Sequence, residues 1–213
     1  MDKLIDNTLI FIKDFFKNDH SGHDFYHTLR VYTLAKVIAE KEDADVELTS
    51  IIALLHDVDD CKLVGPDGIL FENTKKFLSE NNIEEEKINM ICSEISKISF
   101  KGNGVNCPET LEGKIAQDAD RIDDLGAIGI ARTFTYGGSI GRTIYSPEIP
   151  IRDSVSEKDY TNNSGTSIGH FYEKKLKLLD LINTEEAKKI AVARTTYVKE
   201  YLKEFFDEWE GIK

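Results

Sequence analysis

The 213-residue sequence is poor in proline and cysteine, with 4 prolines and 3 cysteines, and it has no long uninterrupted apolar segment. Cys61, Cys92 and Cys107 are odd in number, widely spaced and without a C-x-x-C pair. This pattern argues against a disulfide framework and against a structural zinc site. No run of about 18 apolar residues is present, so we expect no membrane-spanning helix and no membrane partner. Acidic residues near the N-terminus are untypical of a signal peptide, and we expect a cytoplasmic protein.

Positive charge is also scarce, because 27 Lys and Arg stand against 39 Asp and Glu and leave a net charge of −12. A nucleic-acid-binding surface needs a broad basic face, so we expect no nucleic-acid partner. The deficit of basic residues does not exclude a small phosphate-bearing substrate. A bound cation and a few Lys or Arg side chains can dominate one pocket of an acidic protein.

Between the few prolines, apolar residues recur at a spacing near 3.6, which indicates amphipathic helices. Six predicted helices contain the segments Leu4–Phe16, Val31–Ile38, Leu48–Leu55, Phe77–Leu78, Ile88–Ile98 and Leu111–Ile122. Pro108 is the predicted start of the sixth. Two more helices are predicted between Ser167 and Trp209, separated near Asn183-Thr184. No sustained alternating pattern is present. We therefore predict an all-α fold in one domain over 1–213, with an N-terminal helix in 1–18 and C-terminal helices in 167–210 packed on the central part.

One long segment, roughly Gly137 to Gly165, carries several glycines together with Pro147 and Pro150 and does not read as a helix. Loops of this length in a compact domain are usually functional or disordered. Two interpretations remain open. The segment is a solvated excursion, or it is a flap that brings Arg142, Tyr145 or Arg152 near a substrate.

The most informative residues are two histidines and an aspartate on apolar helix faces. His27 precedes Val31 by one helical turn, and His56 follows Ile52 by one turn, so both are predicted to point inward. Asp57 follows His56 directly, and a carboxylate beside an apolar stripe is costly unless a cation or hydrogen bonds compensate it. A single inward histidine is usually a satisfied core residue. Together, the three residues predict a metal site.

A further acid is expected from the segment that contains Asp118 and Asp120. Asp118 lies on the apolar stripe, three residues after Ile115, whereas Asp120 lies on an adjacent face. Periodicity alone slightly favours Asp118, and both remain open. Two imidazoles and two carboxylates suit a divalent metal such as Mn, Fe, Ni, Co or Zn, with Mg as a further alternative. Such a metal activates water for hydrolysis of phosphate esters or anhydrides.

Several extended motifs resemble the HD-domain superfamily of metal-dependent phosphohydrolases, in particular its stand-alone bacterial branch. The resemblance runs from about residue 20 to the C-terminus. It rests on Gly22-His23-Asp24-x-x-His27-x-x-Arg30-Val31, Leu54-Leu55-His56-Asp57-x-x-Asp60, Ile98-Ser99-Phe100-Lys101-Gly102, the run from Leu111 to Gly138, His170-Phe171-Tyr172-Glu173-Lys174 and Glu208-Trp209-Glu210-Gly211. It implies an HD-domain helical bundle with a long Gly- and Pro-containing loop before the C-terminal helices.

The resemblance also implies a ligand set of His27, His56, Asp57 and Asp120, because the family's last ligand stands in an Ala-Asp-x-aliphatic context like that of Asp120. Manganese is the metal that the branch suggests. Asp57 and Asp60 are implied in catalysis, with Asp60 as a general acid or base. The alternative for Asp60 is a solvated acid in an acidic cluster.

Five basic side chains in or beside the motifs are candidates for binding substrate: His23, Arg30, Lys62, Lys101 and Arg121. Arg suits bidentate contacts to phosphate oxygens, and Lys acts as a point charge. Each of them could instead be a surface charge or a structural hydrogen-bond donor, and Arg121 could pair with Asp118 or Asp124. His170 is a further candidate, as part of a wall that the C-terminal segment contributes to the substrate site.

The resemblance implies hydrolysis of a small nucleotide, in its sharpest form a (deoxy)nucleoside triphosphate pyrophosphohydrolase. A nucleoside monophosphate phosphatase and an alarmone hydrolase are the enzymatic alternatives. A sensor module that binds metal and nucleotide without turnover and an all-helical interaction scaffold are the non-enzymatic alternatives. A homo-oligomer is compatible with all of them.

Overall fold

The structure is a computed structural model that describes residues 2–17, 24–59, 70–99, 106–152 and 165–213. Within these ranges it contains nine α-helices and one 3-10 helix, and no strand. The predicted all-α class is confirmed. None of the described helices is both long enough and apolar enough to cross a membrane.

The chain divides into two compact units. The first comprises Met1–Ser99 and Asn106–Asp120, and the second comprises Phe100–Val105 and Arg121–Lys213. The organisation as one domain stays a prediction.

The first unit is built around a buried central helix. Its helices are α1 (Asp2–Phe15), α2 (Phe25–Lys41), α3 (Val46–Leu55), α4 (Glu72–Glu80), α5 (Glu85–Ile95) and the part of α6 (Leu111–Asp123) up to Asp120. Helix α3 packs against α1, α2 and α5. Every residue from Thr49 to Leu55 is buried, as expected for a helix that is apolar on nearly all sides. Since His56 follows this helix directly, the core of the unit fixes its position.

The start of α6 differs from the prediction by three residues, because the helix begins at Leu111 and not at Pro108. The hydroxyl oxygen of Thr110 accepts a hydrogen bond from the Gly113 amide at 3.0 Å, which is the geometry of an N-cap. The buried carboxylate of Glu94 in turn accepts hydrogen bonds from the Thr110 amide at 2.9 Å and the Thr110 hydroxyl at 2.8 Å. A tertiary contact therefore sets this helix end.

The second unit contains α7 (Gly126–Ser139), α8 (Ser167–Glu173), a 3-10 helix (Lys175–Leu181) and α9 (Glu185–Trp209). Its core is formed by buried Ile168, Phe171, Val198 and Leu202. The predicted boundary near Asn183-Thr184 is confirmed: Thr184 occupies the N-cap position of α9, although its side chain makes no capping hydrogen bond. The segment before this boundary is not one helix, because α8 ends at Glu173 and the 3-10 helix follows.

Helix α7 was not identified by periodicity, because four of its 14 residues are glycines, which are poor helix formers. It also shortens the predicted loop, since the helix continues past Gly137 to Ser139. In the described part of that loop, Tyr145 packs edge-on against Trp209 with ring centroids 4.9 Å apart. The Arg152 Nε atom pairs with a Glu173 carboxylate oxygen at 2.8 Å. These contacts hold the described part against α8 and α9.

Candidate metal centre

The first histidine is held at the beginning of α2. Asp24 is the N-cap of this helix, and its carboxylate accepts a hydrogen bond from the backbone N–H of His27 at 2.7 Å. Because His27 lies in the first turn, this cap fixes the backbone from which its imidazole projects. The His27 side chain is 1% exposed, in agreement with the inward orientation that its spacing predicts.

The second histidine and its neighbouring aspartate lie where α3 ends. His56 is the C-cap of that helix, and a turn begins there. The carbonyl oxygen of Ala53 lies 2.8 Å from His56 Nδ1 and can only accept, so Nδ1 carries the proton. This hydrogen bond directs Nε2 toward the carboxylates. Asp57 is buried as well, and the end of the helix allows two consecutive side chains to face one point.

Four side chains of the first unit meet around the two imidazole Nε2 atoms. The Asp57 Oδ2 atom lies 3.4 Å from His27 Nε2 and 3.3 Å from His56 Nε2. The Asp120 Oδ1 atom lies 3.5 Å from His27 Nε2 and 3.9 Å from His56 Nε2. The imidazole rings are 5.4 Å apart at an angle of 72°. Asp120 is the most accessible of the four, with a side chain 26% exposed, so the cluster opens on that side.

The electrostatics of the cluster stabilise positive charge at its centre. Burial by itself lowers the pKa of His56, but the carboxylate of Asp57 and, less strongly, that of Asp120 outweigh burial and raise this pKa to about 9. Two carboxylates facing a buried imidazole stabilise a cation, whether it is a proton or a metal ion. The same position therefore suits a divalent ion once the imidazole has lost its proton.

The donor set fits such an ion. Ligand atoms of His27, His56 and Asp57 lie within 4.8 Å of one another. The buried Nε2 atom of His56 makes no hydrogen bond of ordinary geometry among the described residues. Its Nδ1–H is donated to a carbonyl, which is the usual arrangement of a metal-binding histidine. Imidazole nitrogen with carboxylate oxygen is the ligand combination of Mn, Fe, Ni, Co and Zn sites.

The fourth position distinguishes the two aspartates of α6. The carboxylate of Asp120 lies beside both histidines, although periodicity slightly favoured Asp118. Asp118 is completely buried. Its position beside both imidazoles makes Asp120 the candidate for the fourth ligand, as the motif resemblance implies.

Residues that orient α6 were not identified from the sequence as site residues. Gln117 is completely buried, and its Nε2 donates to the carbonyl oxygens of Lys97 at 2.7 Å and Asn106 at 2.9 Å. Gly113 lies so close to Glu94 that an added Cβ would be 2.3 Å from its Oε2 atom. Both residues lie in the motif Leu111–Asp123, but the motif does not indicate which residues they contact.

The predicted substrate-binding residues are only partly described. His23, Lys62 and Lys101, together with the predicted general acid or base Asp60, lie outside the described residues. Arg30 lies one turn after His27 on α2 and is partly exposed.

Arg121, which follows Asp120 in the sequence, and Asp59, which precedes Asp60, both make structural contacts. The Arg121 guanidinium is buried and donates to the carbonyl oxygen of Leu181 in the second unit. Asp59 accepts hydrogen bonds from the backbone amides of Asn73 at 3.1 Å and Thr74 at 2.9 Å, and so caps α4. In the acidic cluster after His56, Asp59 is thus a structural residue.

The chain resembles several known proteins. A family model described as HD domain matches residues 24–125. YpgQ of Bacillus subtilis is 31% identical over 205 residues, which cover 94% of this chain and 91% of that protein. A solved structure of YpgQ in complex with ADP has a TM-score of 0.77 at 30% identity, covering 98% of this chain and 100% of that chain.

Two other solved structures are similar over nearly their whole length. One from Lactobacillus plantarum has a TM-score of 0.86 at 34% identity and covers 99% of this chain and 98% of that chain. An HD-superfamily hydrolase from Bacillus thuringiensis has a TM-score of 0.77 at 38% identity, again with 99% and 98% covered.

Proposed function

Because this chain belongs to the HD superfamily of metal-dependent phosphohydrolases, we propose that it hydrolyses a small nucleotide and releases pyrophosphate from a (deoxy)nucleoside triphosphate. One observation carries the proposal: the Nε2 atoms of His27 and His56 share the carboxylate of Asp57 at 3.4 and 3.3 Å. The ADP complex of the relative YpgQ supports a nucleotide as the ligand class. The sequence motifs support the triphosphate substrate.

In this proposal, His27, His56, Asp57 and Asp120 hold one divalent ion, with manganese favoured. A bound divalent ion supplies a Lewis acid, which lowers the pKa of water and polarises a phosphoryl oxygen. The protein contributes a fixed ligand set. Asp24 holds the His27 backbone, and the Ala53 carbonyl keeps the proton of His56 on Nδ1.

Substrate is proposed to approach the metal centre from the side of Asp120, the most accessible of the four proposed ligands. Asp60 is proposed as the general acid or base. His23, Arg30, Lys62 and Lys101 are proposed to contact phosphate oxygens, because cationic donors compensate the charge of a phosphate group. A contact of Arg121 with substrate stays a prediction. An Asp60→Ala variant that binds metal and retains full turnover would remove the role of Asp60.

The substrate is tested by incubating the purified protein with Mn²⁺ and a panel of nucleoside triphosphates, monophosphates and guanosine tetraphosphate. Pyrophosphate and orthophosphate are measured separately. We expect pyrophosphate together with a nucleoside monophosphate. Orthophosphate from monophosphates would instead assign a phosphatase, and no release across the panel with several metals would refute the proposed reaction.

The ligands are tested by isosteric substitution within α6. Asp120→Asn removes the charge beside the histidines, so we expect at least a tenfold loss of Mn²⁺ affinity in calorimetry. Asp118→Asn makes the same chemical change two residues earlier and is expected to retain the affinity within about twofold. The opposite ranking would make Asp118 the ligand. As a surface control, Asp180→Asn removes an exposed carboxylate of the second unit.

A further inference from the structure

Gln117 lies about one helical turn before Asp120 on α6, and its side chain is completely buried. Three residues of an α-helix correspond to a rotation of about 300°, so these two side chains project within about 60° of each other. Asp118 and Asp120, in contrast, project about 160° apart. The contacts that hold Gln117 in place therefore also decide whether Asp120 or Asp118 faces the histidines.

The amide group of Gln117 connects α6 to two other segments of the first unit. Its Nε2 atom donates to the carbonyl oxygen of Lys97 at 2.7 Å, in the turn after α5, and to that of Asn106 at 2.9 Å, before α6. A carboxamide nitrogen has two N–H groups, so each carbonyl can receive one. Carbonyls at the end of a helix have no donor within that helix, and Gln117 supplies one to Lys97.

Other contacts of α6 constrain its rotation less directly. The carboxylate of Glu94 binds the amide and the hydroxyl of Thr110, before the first helical residue, and so fixes where α6 begins. Glu112 accepts a backbone amide at the start of α3 at 3.1 Å, but this hydrogen bond is exposed to solvent, where water competes for it. Gln117 is closer to Asp120 along the helix than either contact. Loss of its donors would leave carbonyl oxygens without them in a partly buried position.

The metal centre tolerates little rotation of α6. The Asp120 Oδ1 atom lies 3.5 Å from His27 Nε2 and 3.9 Å from His56 Nε2. An aspartate oxygen lies roughly 5 Å from the helix axis, so a rotation of about 20° moves it by about 2 Å. Distances from a metal ion to its ligands vary by only about 0.2 Å. A helix that could rotate freely would therefore bind metal less tightly than one held in the correct rotation.

We infer that Gln117 is a positioning residue of the metal centre. Its two hydrogen bonds hold α6 in the rotation that directs Asp120 toward His27 and His56. The inference rests on the metal centre of the proposed function, but it concerns the affinity for metal and not turnover. A chain that binds Mn²⁺ without hydrolysing any nucleotide would contradict the proposed reaction and leave this inference intact.

The inference is tested by a double-mutant cycle with Asp120. Gln117→Met keeps the approximate length of the side chain and removes its donors. Mn²⁺ affinity is measured by electron paramagnetic resonance for the unmodified chain, Gln117→Met, Asp120→Asn and the double variant. We expect Gln117→Met to weaken binding at least about fivefold when Asp120 is present, and less than about twofold in the Asp120→Asn background. Equal losses in the two backgrounds, or no loss in either, would overturn the inference.

A matched control removes another side-chain amide of the first unit. The Asn7 Nδ2 atom donates to Asn81 Oδ1 at 2.8 Å and connects α1 to the end of α4. We expect Asn7→Leu and Gln117→Met both to lower the stability of the metal-free protein in urea, whereas only Gln117→Met weakens Mn²⁺ binding. The same loss of affinity in both variants would assign the effect to stability and contradict the positioning role. Failure of the unmodified chain to bind Mn²⁺ would refute the metal centre, and the inference with it.

A second measurement does not depend on folding of a variant. If the hydrogen bonds of Gln117 increase metal affinity, bound metal must stabilise these hydrogen bonds by the same factor. Exchange of side-chain amide protons is followed by NMR in the unmodified chain, without metal and with saturating Zn²⁺ as a diamagnetic ion. We expect exchange at Gln117 to slow at least about fivefold with Zn²⁺ and exchange at Asn7 to stay unchanged. An unchanged exchange rate at Gln117, or equal slowing at both residues, would overturn the inference.

Discussion

Substitution of Asp24 by alanine tests whether the cap of α2 supports the metal centre. The chain offers a matched control, because Asp45 caps α3 in the same way. Asp24 accepts the amide N–H of His27 at 2.7 Å, and Asp45 accepts the amide N–H of Leu48 at 3.0 Å. Both acceptors lie three residues before their donors, in the same unit. The difference is that His27 is a proposed ligand, whereas Leu48 is not.

The expected magnitude follows from the lost hydrogen bond. Removal of an N-cap side chain costs about 1 kcal/mol of stability. We therefore expect Asp24→Ala and Asp45→Ala to lower the free energy of unfolding by similar amounts, about 1 kcal/mol each. If metal binds only when the first turn of α2 is formed, the same energy limits the loss of metal affinity in Asp24→Ala to about fivefold. In Asp45→Ala the affinity should be unchanged.

The assay is calorimetric titration of Mn²⁺ into each variant, together with urea unfolding of the metal-free protein. Asparagine caps helices as well as aspartate does, so Asp24→Asn should restore most of the loss. Equal metal affinity in Asp24→Ala and Asp45→Ala would refute the idea that this cap positions His27. A loss much greater than fivefold would show that Asp24 contributes more than a helix cap.

Two further predictions concern pH and packing. The pKa of His56 is raised to about 9 in the metal-free protein, whereas metal binds only the unprotonated imidazole. We therefore expect the Mn²⁺ affinity to rise about tenfold per pH unit between about pH 7 and 8, and to level off above about pH 9. Titrations in buffers of different ionisation enthalpy should detect the released proton, and a flat affinity would contradict the prediction. In the metal-free protein, the raised pKa of His56 stabilises the folded state. This stabilisation is complete below the pKa that His56 has in the unfolded chain, and it is lost as pH rises toward 9. Gly113→Ala would place a Cβ 2.3 Å from Glu94 Oε2 and should destabilise the protein by about 2–4 kcal/mol, because a buried, hydrogen-bonded carboxylate must move. Gly138→Ala meets no atom within 4 Å and should be neutral or stabilising in the same urea unfolding experiment.

Much of the fold could be predicted because apolar spacing records which face of a helix is buried. The stripes after His27 and before His56 correctly predicted α2, α3 and two inward imidazoles. The same reasoning failed for α7, where glycines weaken the local signal and packing within the second unit supports the helix. It also failed for the start of α6, because the cap at Thr110 depends on Glu94, which lies 16 residues away in the chain.

The sequence by itself determined the kinds of candidate ligand and the helices that carry them: imidazole from α2, imidazole and carboxylate from the end of α3, and carboxylate from α6. It did not determine which carboxylate of α6 lies beside the histidines, since Asp118 and Asp120 are only two residues apart. That choice depends on the rotation of α6 about its axis. The tertiary structure fixes this rotation through Gln117, which binds the carbonyls of Lys97 and Asn106. Periodicity reports how much of a helix face is buried, whereas only contacts with other segments decide where each side chain on that face is directed.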